Sequence, residues 1–216
     1  ETKAAINAAK KAGRKIGVEV PLVSDEDIEA IAKAVTDKNK KMELTLDLPK
    51  EFMDTDTVEL KIPVDEDLLA LAEEKGTDLS ITVNPGGSDP YTWSFDKDDM
   101  PSAGLDIAVV LLSPKESGDS NIINNILVKK NPTSKVLRFA NSGDFGAKVK
   151  LNLTVPSSYK NKNVSLYYVN GKEFVDQKQT KLAGSSRKVQ FSFTHGDDYV
   201  LVPTKAKPSR PTSSGS

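Results

Sequence analysis

With 216 residues, 30 basic against 31 acidic side chains and a formal net charge of -1, the chain is long enough for two cored domains and carries no field that would draw it to nucleic acid or anionic lipid. The absence of cysteine excludes disulfides, thiolate metal sites and thiol nucleophiles. No apolar run reaches the roughly 18 residues that span a bilayer, and no signal-peptide pattern opens the chain, whose start at Glu1 reads as a cut from a longer protein.

Residues 1–17 read as a weak N-terminal helix or linker. Ala4, Ala5, Ala8 and Ala9 favour helix, but only Ile6 and Ile16 are large apolar anchors. Residues 18–118 read as a duplicated β-α-β domain with extra strands. The run Val18-Glu19-Val20-Pro21-Leu22-Val23-Ser24-Asp25-Glu26-Asp27-Ile28 matches Val58-Glu59-Leu60-Lys61-Ile62-Pro63-Val64-Asp65-Glu66-Asp67-Leu68 without a gap. In the first copy Ser24 caps a helix, Asp27 completes a capping box, Ile28, Ile31 and Val35 form the apolar stripe, and the helix ends near Asp37. Met42, Leu44, Leu46 and Leu48 then alternate with polar residues as a half-buried strand, stopped by Pro49. The second copy runs from the alternating Val58, Leu60 and Ile62 through a helix opened by Asp65 to a strand bearing Leu79, Ile81 and Val83, closed by Asn84-Pro85-Gly86-Gly87. The acidic triplets lie in first helical turns, where the helix dipole favours negative charge.

Tyr91, Trp93 and Phe95 share one face of the next strand, and the apolar Ile107–Leu112 reads as a strand covered on both faces. After a Ser/Gly/Asp/Pro-rich boundary, residues 119–203 read as an all-β sandwich domain. Its strands begin at Val136–Phe139 and include the alternating Val149, Leu151, Leu153 and Val155. Val164–Val169 leads into Asn170-Gly171, the dipeptide of a type I′ hairpin, and on to Phe174 and Val175; Val189–Phe193 and Tyr199–Val202 follow. Residues 204–216, rich in Pro, Ser, Thr and Lys, read as a linker. The expected fold is thus α+β, mainly β: a duplicated β-α-β N-terminal half followed by an antiparallel β-sandwich.

Leu166-Tyr167-Tyr168-Val169-Asn170-Gly171-Lys172, with Val189-Gln190-Phe191-Ser192-Phe193-Thr194-His195-Gly196-Asp197-Asp198-Tyr199-Val200-Leu201, resembles the closing hairpins of β-rich modules in multimodular cell-surface, cellulosome-associated proteins of clostridia and ruminococci. Tyr91-Thr92-Trp93-Ser94-Phe95-Asp96 is similar to a strand of the same modules. The likeness spans roughly residues 18 to 203. Where those modules carry a Gly-Leu-Pro-Gly-like turn, this chain has Ser142-Gly143-Asp144-Phe145-Gly146. The resemblance implies an extracellular, bacterial cell-surface, multimodular setting beside carbohydrate-binding and cellulosomal modules.

His195 is the only histidine, so a Ser-His-Asp triad would have to use it, and no nucleophile-elbow signature is present. A turn role for His195 is expected instead, with Tyr199 anchoring the last strand as a tyrosine corner does. Catalysis is not expected. Asp96, Asp98 and Asp99 could gather oxygen ligands for calcium, although the rest of an EF-hand loop is missing and a plain acidic turn is the competing reading. The candidate sugar contacts are Tyr167, Tyr159, Trp93 and Tyr91. Burial of the Tyr91, Trp93, Phe95 row is favoured by several kcal/mol over its exposure as a platform, whereas Tyr167 and the loop residue Tyr159 are expected at the surface. The leading expectation is a monomeric, non-catalytic module that aids attachment to plant polysaccharide. The alternative is a structural spacer or protein-interaction module that contacts neighbouring modules of the same protein.

Overall fold

The structure, a computed structural model, describes residues 1–35 and 41–206. Helix α1 (Thr2–Lys11) buries Ile6 and Ala9, and Ile6 forms a small cluster with Val18 of β1 (Ile16–Glu19) and Val58 of β3 (Val58–Lys61). The first 17 residues are therefore packed against the body rather than forming a separate linker. β1 and β3 pair in parallel, but Val18 stands beside Leu60 and not beside Val58, its counterpart in sequence.

Each of these strands leads to a capped helix. In α2 (Asp25–Ala34) the Ser24 side chain accepts from the Asp27 N–H while the Asp27 carboxylate accepts from the Ser24 N–H, the reciprocal box the sequence predicts. Those bonds hold the Asp27 carboxyl below its ordinary range, the bond from the Ser24 backbone first. The helix stops at Ala34; the expected end at Asp37 lies outside the described residues. α3 (Glu66–Lys75) is capped by Asp65 and closed by Gly76 at φ 62°, and it buries Leu68, Leu69, Leu71 and Ala72.

The return strands β2 (Met42–Leu48) and β5 (Leu79–Pro85) pair in parallel and enter a five-stranded sheet of order β13-β10-β6-β5-β2, with β6 at Tyr91–Phe95, β10 at Asp144–Thr154 and β13 at Lys188–His195. The second five-stranded sheet has the order β12-β11-β14-β9-β8, all antiparallel: β8 (Val109–Leu112), β9 (Lys135–Phe139), β11 (Lys162–Asn170), β12 (Glu173–Leu182) and β14 (Asp198–Lys205). The fold is mixed α+β and mainly β, with parallel strand pairs confined to the N-terminal β-α-β units.

The division expected at 118/119 runs through both large sheets. β6 pairs with β10 through Leu151 opposite Trp93, and β8 pairs with β9 through Leu111 opposite Leu137. One core cluster accordingly contains Leu68 and Ile81 from one half and Leu151, Phe191 and Leu201 from the other. Aromatic rings knit the two sheets: Trp93 meets Phe139 edge-on at 5.8 Å, and Phe193 meets both Phe139 and Tyr199 at 4.9 Å.

Three further departures from the sequence reading have local causes. The run Ile107–Leu112 is split, because β4 (Pro63–Val64) pairs with β7 (Leu105–Asp106) and the Asp106 carboxylate accepts the N–H groups of Ile62 and Ala108, each at 2.9 Å. The second half also has two short helices, α4 (Ser120–Asn124) and α5 (Ile126–Lys130), each started by an Asx cap, Asp119 and Asn125. The final strand continues to Lys205, two residues into the expected linker, whose residues 207–216 lie outside the described residues.

One lateral edge is sewn by a side chain. The Gln179 amide of β12 accepts from the Ser192 N–H and donates to the Ser192 carbonyl of β13, both at 2.8 Å, standing in for a strand at the seam between the two sheets.

Candidate polysaccharide-contact site

The aromatic residues of the expected sugar site do not come together at a surface. Trp93 is fully buried, its Nε1–H donating to the Ile107 carbonyl at 3.0 Å, and Tyr91 is buried with its hydroxyl accepting the Val109 N–H at 3.4 Å. Tyr159, expected at the surface, is also fully buried. A 3₁₀ turn at Ser157–Tyr159 directs its ring inward, where the hydroxyl donates to the Thr133 and Leu201 carbonyls. Tyr167 is half-buried against a cluster containing Ile122, Val128 and Val200, because α4 and α5 bring apolar residues to that face of its sheet. The signals behind the expected exposure, a loop position for Tyr159 and for Tyr167 a strand face shared with Ser165 and opposite Leu166 and Tyr168, do not report what packs over them.

Burial leaves a chemical mark on the three buried tyrosines. Loss of solvation pushes the phenols of Tyr91, Tyr159 and Tyr199 well above their ordinary value near 10. The folded state therefore holds these protons longer than the unfolded state. Their contribution to stability is complete below about pH 10 and is lost as pH rises through the folded-state values. Urea unfolding midpoints are expected to be flat from about pH 8 to 9.5 and to fall steeply above about pH 10, with the tyrosinate absorbance of these three rings appearing only as the protein unfolds.

His195 is held as a turn residue. The Tyr199 hydroxyl donates to the His195 carbonyl at 2.8 Å, the four-residue reach of a tyrosine corner, and the ring packs edge-on to Tyr168 with 4.5 Å between centroids. Its Nδ1 lies 3.1 Å from the Gly196 carbonyl and 3.1 Å from the Tyr199 hydroxyl, and among the described residues no serine, threonine or carboxylate is hydrogen-bonded to the ring.

Two of the three acids of the calcium expectation are engaged by backbone. Asp96 accepts from the Asp98 N–H at 2.8 Å in an Asx turn, and Asp99 accepts from the Lys148 N–H at 3.0 Å. Among the described residues, no group of three or more histidine, aspartate or glutamate side chains is placed to hold a metal ion. Through Asp99 the acidic turn that follows β6 is tied to β10, its neighbour in the sheet.

What the fold does assemble is the outward face of the β13-β10-β6-β5-β2 sheet. Strand register lines up Thr45, Thr82, Thr92, Asn152 and Gln190 in one row, and Glu43, Ser80, Ser94, Lys150 and Ser192 in the next. The Thr82 and Thr92 hydroxyls are 2.9 Å apart, and Asn84 donates to Asp47 at 2.9 Å. Across the second row lies a trough of about 250 Å³ lined by Lys41, Glu43, Asp78, Ser80, Ser94, Asp96, Lys148, Lys150 and Gln190 above the edges of Leu79 and Phe95. From β2 to β10 the row covers three strand spacings, about 14 Å. Each of these residues is the polar half of an alternation visible in the sequence; which strands would be neighbours is not.

Two other cavities, of about 370 and 490 Å³, flank the edge strand β8 and share Met53, Thr55, Val109 and Val110. Phe139 lines the first and Leu137 and Leu153 the second, alongside charged side chains that include Asp56, Glu59, Lys61 and Glu116 in the first and Asp89, Lys135 and Arg187 in the second. Beside the first, Arg138 forms a bidentate pair with Asp198 at 3.0 and 2.9 Å and donates to the Ser117 carbonyl at 3.0 Å, tying the loop before α4 to β9 and β14. A scan against protein-family models and searches of curated proteins and solved structures found no significant match to this chain.

Proposed function

We propose that this chain is a non-catalytic, monomeric module of a secreted, multimodular bacterial cell-surface protein, and that it aids attachment to plant polysaccharide through the polar face of its larger mixed sheet. In this reading the two β-α-β units are copies of one ancestral unit, and the two facing sheets form a β-sandwich that spans both halves of the chain. The observation that carries the binding role is the trough: hydroxyl, amide, ammonium and carboxylate groups set at strand spacing on a rigid sheet, the donor and acceptor mixture that sugar hydroxyls match. The cell-surface setting rests on the resemblance of the closing hairpins.

In affinity electrophoresis the module is expected to be retarded by at least one of cellulose, xylan, starch or pectin. Lys150→Ala, which removes a charged donor from the β10 side of the trough, is expected to weaken that retardation about tenfold. Burial of Trp93, Tyr91 and Tyr159 favours a second reading, a spacer with no ligand of its own, since stacking platforms are what sugar-binding surfaces ordinarily add to hydrogen bonds. Absence of retardation by all four polymers would select the spacer.

A further inference from the structure

The charges around the trough define a narrower ligand class, an inference that rests on the proposed polysaccharide reading. Three lysines, Lys41, Lys148 and Lys150, and three acidic residues, Glu43, Asp78 and Asp96, line the trough together. Among the described residues none of the six forms an ion pair. Two of the carboxylates are fixed by backbone, Asp78 accepting from the Lys97 N–H at 2.9 Å and Asp96 from the Asp98 N–H at 2.8 Å, so they cannot swing away from a ligand without losing those bonds. Glu43 and Lys150 stand in one register row, separated by Ser80 and Ser94.

We propose that the trough selects uncharged polysaccharide and rejects polyuronate. A neutral chain offers each hydroxyl as donor to a carboxylate and acceptor to an ammonium, so both signs of charge contribute. A polyanion lying along the same row gains from the lysines but meets fixed carboxylates, and like charges brought together across a contact cost affinity while steering the wrong partner away. Selection by balanced charge of this kind is strongest at low ionic strength, where screening is weakest.

The test compares the full chain with Lys150→Ala and Glu43→Lys, both at exposed positions, in affinity electrophoresis against xylan, hydroxyethylcellulose and polygalacturonate at about 10 mM salt, where the Debye length is about 30 Å. The expected result is retardation by a neutral polymer, at least tenfold weaker retardation by polygalacturonate, loss on neutral polymer in Lys150→Ala, and a gain on polygalacturonate in Glu43→Lys. Equal or stronger retardation of the unmodified chain by polygalacturonate overturns the selectivity while leaving polysaccharide binding in place. Neutral-polymer binding that is indifferent to both substitutions overturns the trough as its site. Failure to bind any of the polymers overturns the underlying polysaccharide reading and the selectivity with it. Unchanged thermal unfolding of both variants keeps these outcomes separate from misfolding.

Discussion

Replacing Gly196 by alanine is expected to destabilise the fold by about 3 kcal/mol or more, a larger effect than at any other glycine. A Cβ on Gly196 would stand 1.7 Å from the Asn141 carbonyl oxygen and 3.5 Å from the Phe139 Cβ. That neighbour is backbone, pinned because the Asp197 N–H donates to the same Asn141 carbonyl at 3.3 Å and the Gly196 N–H donates to Gly143 at 2.8 Å. Relief would require the turn between β9 and β10 to separate from the turn between β13 and β14, which would also strain Asp197, already at φ 81°. Gly143→Ala is the control: it has open space around its Cβ position and only the positive φ of 84° to contend with, so about 1 kcal/mol is expected. Urea denaturation of the two variants measures the difference directly, and equal losses would show that the two turns are not locked together.

Trp93→Ala is expected to cost about 3–5 kcal/mol, the range for deleting a buried large aromatic. The indole is fully buried, stacks on Phe95 at 6.0 Å and meets Phe139 and Phe145 edge-on, each at 5.8 Å. Trp93→Phe keeps most of that contact but leaves the Ile107 carbonyl without its donor, and a loss of about 1–3 kcal/mol is expected. Chemical denaturation followed by circular dichroism reads both. The same variants separate a core role from a ligand role: at a temperature where Trp93→Phe remains folded, its retardation by polysaccharide is expected to equal that of the unmodified chain. A selective loss of retardation in the folded Trp93→Phe protein would return this residue to the binding surface.

Local chemistry was legible in the sequence wherever it depends on neighbours along the chain. The Ser24 and Asp27 capping box, the Asp65 helix start and the tyrosine corner at Tyr199 are all contacts within five residues, and the structure has each of them. The hairpin signal at Asn170-Gly171 marks a real hairpin, but not the type I′ turn expected: Asn170 still pairs with Glu173 in the ladder, without a positive φ, and the two turn residues are Gly171, at φ 60°, and Lys172. The burial of the Tyr91, Trp93 and Phe95 row was legible too, because its opposite face offered only Thr92 and Ser94. What the sequence concealed was long-range. Residues 91–95 lie beside residues 149–153, over fifty positions away, and no turn signal records that pairing. The Asx caps at Asp119 and Asn125 were available as signals for α4 and α5, but five-residue helices carry too little periodicity to stand out. The candidate trough was hidden for the same reason as the mixed sheets: its polar residues are contributed by β2, β5, β6, β10 and β13 and become one surface only when strand order is known.

The sharing of both large sheets between the two ends of the chain bears on how the molecule is made. β5 and β6 cannot complete their sheet until residues near 150 and 190 have been synthesised, and β8 stays an open edge until β9 arrives. Half-made chains leaving the ribosome therefore expose ready strand edges, and assembly is governed by slow non-local closure and not by sequential completion of two small bodies. A cut near residue 118 would strand partners on both sides, so the strands from β1 to β14 stand or fall as one cooperative body.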